Sequence, residues 1–199
     1  MLIESAAKCE IRAVIRYLVA KEKSPYEIFN EVRTVYGEGH MNPKKIVALV
    51  FWDHKGIILI EYLPHGETIN AARYCETLKK LRRAIQNKRR GLLTSGICLL
   101  HDKARPHTAN VTKQLLDSFG CDVLNHPPYS PDLAPSDYHL FTSLKKHMGG
   151  KKCSTDEEVK GAVDKWTKEM AAEFYDAGIK KLICRLTACI ERNGDYVEK

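Results

Sequence analysis

The chain is marked first by what it does not contain. No apolar run reaches the length of a membrane span, and the opening MLIESAAKCEIR has neither a basic leader nor a long apolar stretch. A transmembrane protein and a secreted precursor are therefore not expected. The seven cysteines, Cys9, Cys75, Cys98, Cys121, Cys153, Cys184 and Cys189, include no CxxC pair, and several sit inside apolar runs. That argues against a disulfide framework or a zinc ribbon and for reduced, buried thiols in an intracellular compartment, cytoplasm or nucleus. Internal repeats and low-complexity tracts are missing too. With 44% hydrophobic and 29% charged residues in 199, the composition fits one ordinary core and not a disordered chain.

What is present begins with charge. A formal net charge of +7 makes a polyanionic partner plausible, although many basic soluble proteins carry as much. Residues 7–36 read as two helices. Ile11, Val14, Ile15, Leu18 and Val19 form one apolar face, and the second helix opens on Ser24, Pro25 and Glu27, a capping box. Residues 45–63 read as a β-hairpin around Asp53-His54-Lys55-Gly56, and its nearly continuous apolar runs predict a sheet covered on both faces. A helix over 71–87 should bury Tyr74, Leu78, Leu81 and Ile85.

Seven basic residues, Lys79, Lys80, Arg82, Arg83, Lys88, Arg89 and Arg90, follow one another there without an acidic residue. They form either a solvated face or a contact to a phosphate backbone. Short strands over 97–101 and 121–124 flank a helix over 109–119 with Val111, Leu115 and Leu116 at packing positions. The four prolines between Pro127 and Pro135 predict a rigid loop without regular structure, after which Ser136 caps a helix bearing Leu140, Phe141, Leu144 and Met148. Gly149-Gly150-Lys151-Lys152 reads as a basic turn. Ser154 should open a helix with an acidic first turn and a face of Val159, Val163 and Trp166, and the last helix, over 179–190, should pack Leu182, Ile183, Leu186 and Ile190.

Chemistry concentrates between Ile97 and Phe141. Asp102 ends a strand and Asp137 lies in the first turn of a helix, a common way to present carboxylates to a divalent cation. Two aspartates do not complete such a site, and on composition alone each could equally satisfy local amides. His101 and His107 flank Asp102 but lack a thiolate partner at zinc-ligand spacing. Asp53 belongs to a hairpin turn, where an aspartate near a glycine needs no catalytic explanation.

HDKARPHTA around Asp102 and YSPDLAPSDYHLF around Asp137 resemble the corresponding motifs of mariner-family transposases in the Tc1/mariner group. The two aspartates stand 35 positions apart, as do the last two members of that family's metal-binding triad. The likeness extends through KKIVALVFWDHKGIILIEYLPHGETINAARY to CIERNGDYVE, and residues 10–41, with AVIRYL, SPYEI and VYGEGHM, resemble the first half of the family's N-terminal helix-turn-helix. The resemblance implies an α/β, RNase H-like (retroviral-integrase-type) core over 44–199, preceded over 1–41 by a partial helix-turn-helix. It implies that Asp102 and Asp137 derive from Mg²⁺ ligands, used by the family to cleave strands at transposon inverted repeats and join them to target DNA. It also implies double-stranded DNA as partner, a nuclear location, and pairing with a second copy or a full-length transposase, with no membrane partner. His101 and His107 would belong to the motif's framework.

The departures set the functional expectation. The family's first catalytic aspartate stands on an early strand upstream of the segment matching Lys44 to Gly56, and this chain passes there directly from Met41 to Lys44. The first aspartate, the recognition helix and the second DNA-binding unit have no counterpart. Lys103 replaces the family's asparagine and sets a cation beside a metal ligand. Glu61 and Glu67 are the nearest stand-ins for the first aspartate, yet neither is placed to end a central strand. The expectation is a sheet kept in outline, with the strands around the missing one either closing up or leaving open edges. It is also a transposase-derived protein without independent activity. The alternatives are an active Mg²⁺-dependent DNA transposase or endonuclease, or a non-enzymatic interaction protein that pairs with a full-length transposase.

Overall fold

The computed structural model describes residues 46–128, 130–149, 151, 153 and 155–197, all within the compact unit Ile46–Lys199. The helices read over 7–36, the partial helix-turn-helix of 1–41 and part of the basic turn after Gly149 lie outside these residues.

The hairpin forms as the pattern requires. Strands β1 (Ala48–Asp53) and β2 (Gly56–Tyr62) pair antiparallel from Ala48 opposite Tyr62 to Asp53 opposite Gly56, with an irregularity between Phe51 and Trp52. Asp53 holds the turn by accepting the Lys55 amide at 2.9 Å, and Gly56 takes φ 128°, a conformation that only glycine adopts freely. Alternate residues of β1 serve two cores. Leu49 and Phe51 pack towards Tyr74, Leu78, Leu81 and Ile85, while Val50 and Trp52 pack towards Leu140, Trp166 and Tyr175. Both faces are covered, as the unbroken apolar runs predict.

Helix α1 (Ala71–Lys88) starts where Asn70 accepts the Arg73 amide at 2.8 Å and buries the four apolar residues read from its periodicity. A short helix α2 (Leu92–Ser95) leads to β3 (Ile97–Leu100). Helices α3 (Arg105–Thr108) and α4 (Asn110–Ser118) then carry the chain to β4 (Cys121–Leu124), which lies parallel to β3. Helix α4 departs from the reading at Val111, which is 54% exposed, whereas Thr112 and Leu116 are buried. Thr112 turns inward because its hydroxyl donates to the Pro106 carbonyl at 2.7 Å, which rotates Val111 towards solvent.

The proline-rich loop contains one regular turn, a 3₁₀ helix over Pro131–Leu133. Proline lacks an amide proton but keeps its carbonyl, and the Pro131 carbonyl accepts the Ala134 amide. The next helix is wound as a π-helix over Ser136–Phe141 before continuing as α5 (Thr142–Met148), and Ser136 does not cap it. Helix α6 (Asp156–Glu169) has the acidic first turn expected and is capped by Thr155, while Ser154 lies outside the described residues. Helix α7 (Ala172–Glu191) begins well before Ile179 and packs through Tyr175 and Gly178, leaving Ile183 and Ile190 71% and 77% exposed. The missing side chain of Gly178 is what lets α7 lie against the His139 ring, and on this packing Ile183 and Ile190 face outward.

The two strand pairs do not join. β1–β2 and β3–β4 are separate two-stranded sheets, so β1 and β3 each keep one edge without a strand partner among the described residues. The expected mixed α/β architecture is present with its sheet split in two. No described helix is long and apolar enough to cross a membrane.

Candidate metal centre

Asp102 sits just beyond the end of β3, where the chain turns into α3. Its Oδ1 accepts the Ala104 amide at 3.0 Å and meets His107 Nδ1 at 2.5 Å, a local clasp that the HDKARPH spacing makes possible. The His107 ring stacks on His101 with centroids 5.0 Å apart and planes 6° off parallel, and His101 Nδ1 meets the Tyr74 hydroxyl of α1 at 2.9 Å. The Tyr74 phenol is pushed well above its ordinary value, by burial first and then by the Asp102 charge, so it keeps its proton. Burial, assisted by neighbouring His107, pushes His101 down to about 4 and leaves it neutral at physiological pH.

Asp137 is held by its neighbours in the motif, each tied to a different element. Ser136 Oγ accepts the Trp52 indole N–H of β1 at 3.0 Å. The Tyr138 hydroxyl donates to the Gly178 carbonyl and His139 Nε2 to the Phe174 carbonyl, both at 2.8 Å, which fastens the π-helix to α7. Arg185 lies over the Tyr138 ring at 4.1 Å, and the Thr142 hydroxyl donates to the Asp137 carbonyl at 2.7 Å across the wide turn. A π-turn at a chemically loaded residue is a recurring device for re-aiming one side chain.

Asp102 and Asp137 face one cavity of about 650 Å³, lined by residues 48–51 of β1, Tyr74, Leu100, His107, His126 and Phe141 among others. Desolvation raises the Asp137 carboxyl; Lys145 opposes this, the Asp102 charge adds to it, and His126 opposes it again. Asp102 has the same desolvation, but the Ala104 amide and His107 outweigh it and hold its carboxyl below the usual range. The Asp102 charge therefore reaches the Asp137 carboxyl across the cavity they share. Their oxygen chemistry suits Mg²⁺, but the set is short: among the described residues no cluster of three or more His, Cys, Asp or Glu could hold a metal. Glu61 is tied to Lys80 at 2.6 Å and Glu67 to Arg73 at 3.3 Å, and neither lines the cavity. The residues present do not make up a complete two-ion site.

The seven basic residues are not equivalent. Lys79 pairs with Glu76 at 2.8 Å and Lys80 with Glu61. Arg82 donates to the Phe119 carbonyl and lies over its ring, and Lys88 donates to the Ile58 carbonyl. Arg89 grips Asp53 through two bonds, of 2.7 and 3.0 Å. Arg83 and Arg90 are exposed and make no ion pair among the described residues. Sequence reasoning also passes over Tyr74, His126 and Lys145 as groups acting on the aspartates. His126 opens the HPPYSPDLAPSDYHLF block and could have been picked out there, but Tyr74 reads only as a core residue.

A family model described as Transposase (partial DDE domain) matches residues 34–95. The chain is 38% identical over 186 residues to the Mariner Mos1 transposase of Drosophila mauritiana, covering 92% of this chain and 54% of that protein. It is 36% identical over 159 residues to the human histone-lysine N-methyltransferase SETMAR, covering 79% of this chain and 23% of that protein. It thus spans about half of one curated relative and about a quarter of the other. The solved structure of the Mos1 transposase catalytic domain with Raltegravir and Mg superposes with a TM-score of 0.76 at 42% identity, over 79% of this chain and 80% of that one. With the two motif aspartates meeting in one cavity of an RNase H-like core that is incomplete beside that domain, the chain belongs to the mariner/Tc1 family of transposases and carries part of its catalytic domain.

Proposed function

We propose that this chain is a mariner-derived domain that does not cleave DNA on its own and keeps a basic contact to double-stranded DNA in the nucleus. One observation carries the reading: Asp102 and Asp137 face a common cavity, while Glu61 and Glu67, the nearby acidic residues that could stand in for a third ligand, are committed to Lys80 and Arg73. Phosphoryl transfer in this family rests on Mg²⁺ held by three carboxylates, and the ion would supply charge stabilisation at the attacking and leaving oxygens. Here Asp102 and Asp137 offer two of the three. Lys103, on the cavity wall beside Asp102, further opposes a cation.

The test is a cleavage assay with purified protein, Mg²⁺ and a duplex carrying a mariner inverted-repeat end. No Mg²⁺-dependent strand cleavage is expected. Cleavage by the wild-type chain that an Asp102→Asn form has lost would establish the enzyme instead. Pairing with a full-length transposase is the second reading, supported by the likeness to the Mos1 transposase solved as a paired-end complex, and co-purification of both chains without DNA tests it.

A further inference from the structure

The cavity that Asp102 and Asp137 face is also where the sheet is interrupted, and its walls carry more information than its volume. One wall is the edge of β1 that has no strand partner among the described residues. The Leu63 amide donates to the Val47 carbonyl at 2.9 Å, so Val47 and Leu63 are a hydrogen-bonded pair of the antiparallel ladder. Leu49 and Phe51, two and four residues on, direct their amides and carbonyls to β2 in the same way. Ala48 and Val50 must then direct theirs away from β2, and both line the cavity. The far side is closed by Leu100 and His101 at the end of β3, whose edge opposite β4 has no strand among the described residues either.

The chemistry of an occupant follows from these walls. Unpaired backbone groups in a sheltered site cost about 1–3 kcal/mol each, and an extended backbone is the ligand that satisfies a strand edge. Side chains of an added strand would continue the two cores on either side of β1, Leu49 and Phe51 with Tyr74 on one face and Val50 with Leu140 on the other. A strand between two such cores is apolar on both faces, so it is a run of valine, isoleucine and leucine and not an alternating amphipathic one. At the polar end stand Asp102 and Asp137 with Lys103 and His107.

We propose that the gap between β1 and β3 is an acceptor slot for one extended, apolar strand delivered by a partner polypeptide, bound by its backbone against Ala48 and Val50. Docking of that strand joins the two half-sheets and covers the two aspartates from the β1 side. The proposal is independent of DNA binding and of catalysis.

The experiment uses the whole chain and a capped hexapeptide of valine and isoleucine carrying two terminal lysines for solubility. Amide hydrogen exchange is followed residue by residue with and without peptide. Exchange at Ala48 and Val50 is expected to slow by about tenfold or more, while Leu49 and Phe51, already bonded to β2, change little. A peptide of the same side chains with alternate amides N-methylated is expected not to protect them. Equal protection by the N-methylated peptide would reduce the effect to apolar adsorption and overturn the proposal. So would Ala48 and Val50 amides already protected in the isolated chain, which at every concentration would place the occupant within the chain, and only at high concentration in a second copy. Unchanged exchange at saturating peptide would overturn it as well.

Discussion

The Trp52 indole N–H donates to Ser136 Oγ at 3.0 Å across 84 residues of sequence, joining the hairpin directly to the residue before Asp137. This bond fixes one carboxylate of the site relative to the β1 edge. Ser136→Ala leaves a half-buried indole donor without its partner and should cost about 1 kcal/mol in urea unfolding. It should also change Trp52 emission, whereas Lys146→Ala, at an exposed position of the same helix, should not shift that signal.

Two helical glycines should respond to alanine with opposite signs. A Cβ at Gly178 would lie 2.4 Å from His139 Cδ2, so Gly178→Ala must push α7 off the π-helix. A loss of about 1–3 kcal/mol is expected, as for other overpacked sites. Gly161 in α6 has nothing within 4 Å of a built Cβ, and Gly161→Ala should raise stability by about 0.5–1 kcal/mol through helix propensity alone. Thermal unfolding of the two variants beside the parent decides both.

The Arg89–Asp53 pair should give the fold part of its acid sensitivity. Desolvation acts to raise the Asp53 carboxyl, but the Arg89 guanidinium and the Lys55 amide outweigh it and set the folded value below the ordinary one. A carboxylate depressed in the fold stabilises above its unfolded value, and the contribution is lost as pH falls through the folded value. Asp53→Asn should therefore cost about 1–2 kcal/mol at neutral pH and progressively less below about pH 4, visible as a flatter acid limb in a Tm-against-pH series.

The basic stretch should separate into binding and structural residues. Neutralising Arg83 and Arg90 together should lower the salt slope of DNA retention by about 2 with no change in Tm. Arg82→Ala and Lys88→Ala should lower Tm, because they remove bonds to the Phe119 and Ile58 carbonyls. An unchanged salt slope in the Arg83/Arg90 double variant would remove this stretch from any DNA contact.

Much of the fold was legible where one local rule dominated. The hairpin followed from two β-rich runs around Asp53–Gly56, and α1 followed from the spacing of Tyr74, Leu78, Leu81 and Ile85. The reading failed where a distant partner overruled local pattern. Val111 gave way to Thr112 because of the Pro106 carbonyl, and α7 ran through Gly178 because His139 needed the space. Ser136 was read as a cap and instead serves Trp52.

For the site, sequence alone determined lineage: HDKARPHTA and YSPDLAPSDYHLF carry the likeness to the family by residue type and spacing, which are properties of the chain. Only the tertiary structure decided how those residues are used. It brought Asp102 and Asp137 to one cavity, withdrew Glu61 and most of the basic stretch into intramolecular pairs, and left the β1 edge facing the gap. The reason is physical: hydrogen-bond partners and desolvation depend on what folds back from far along the chain, and no local pattern encodes them.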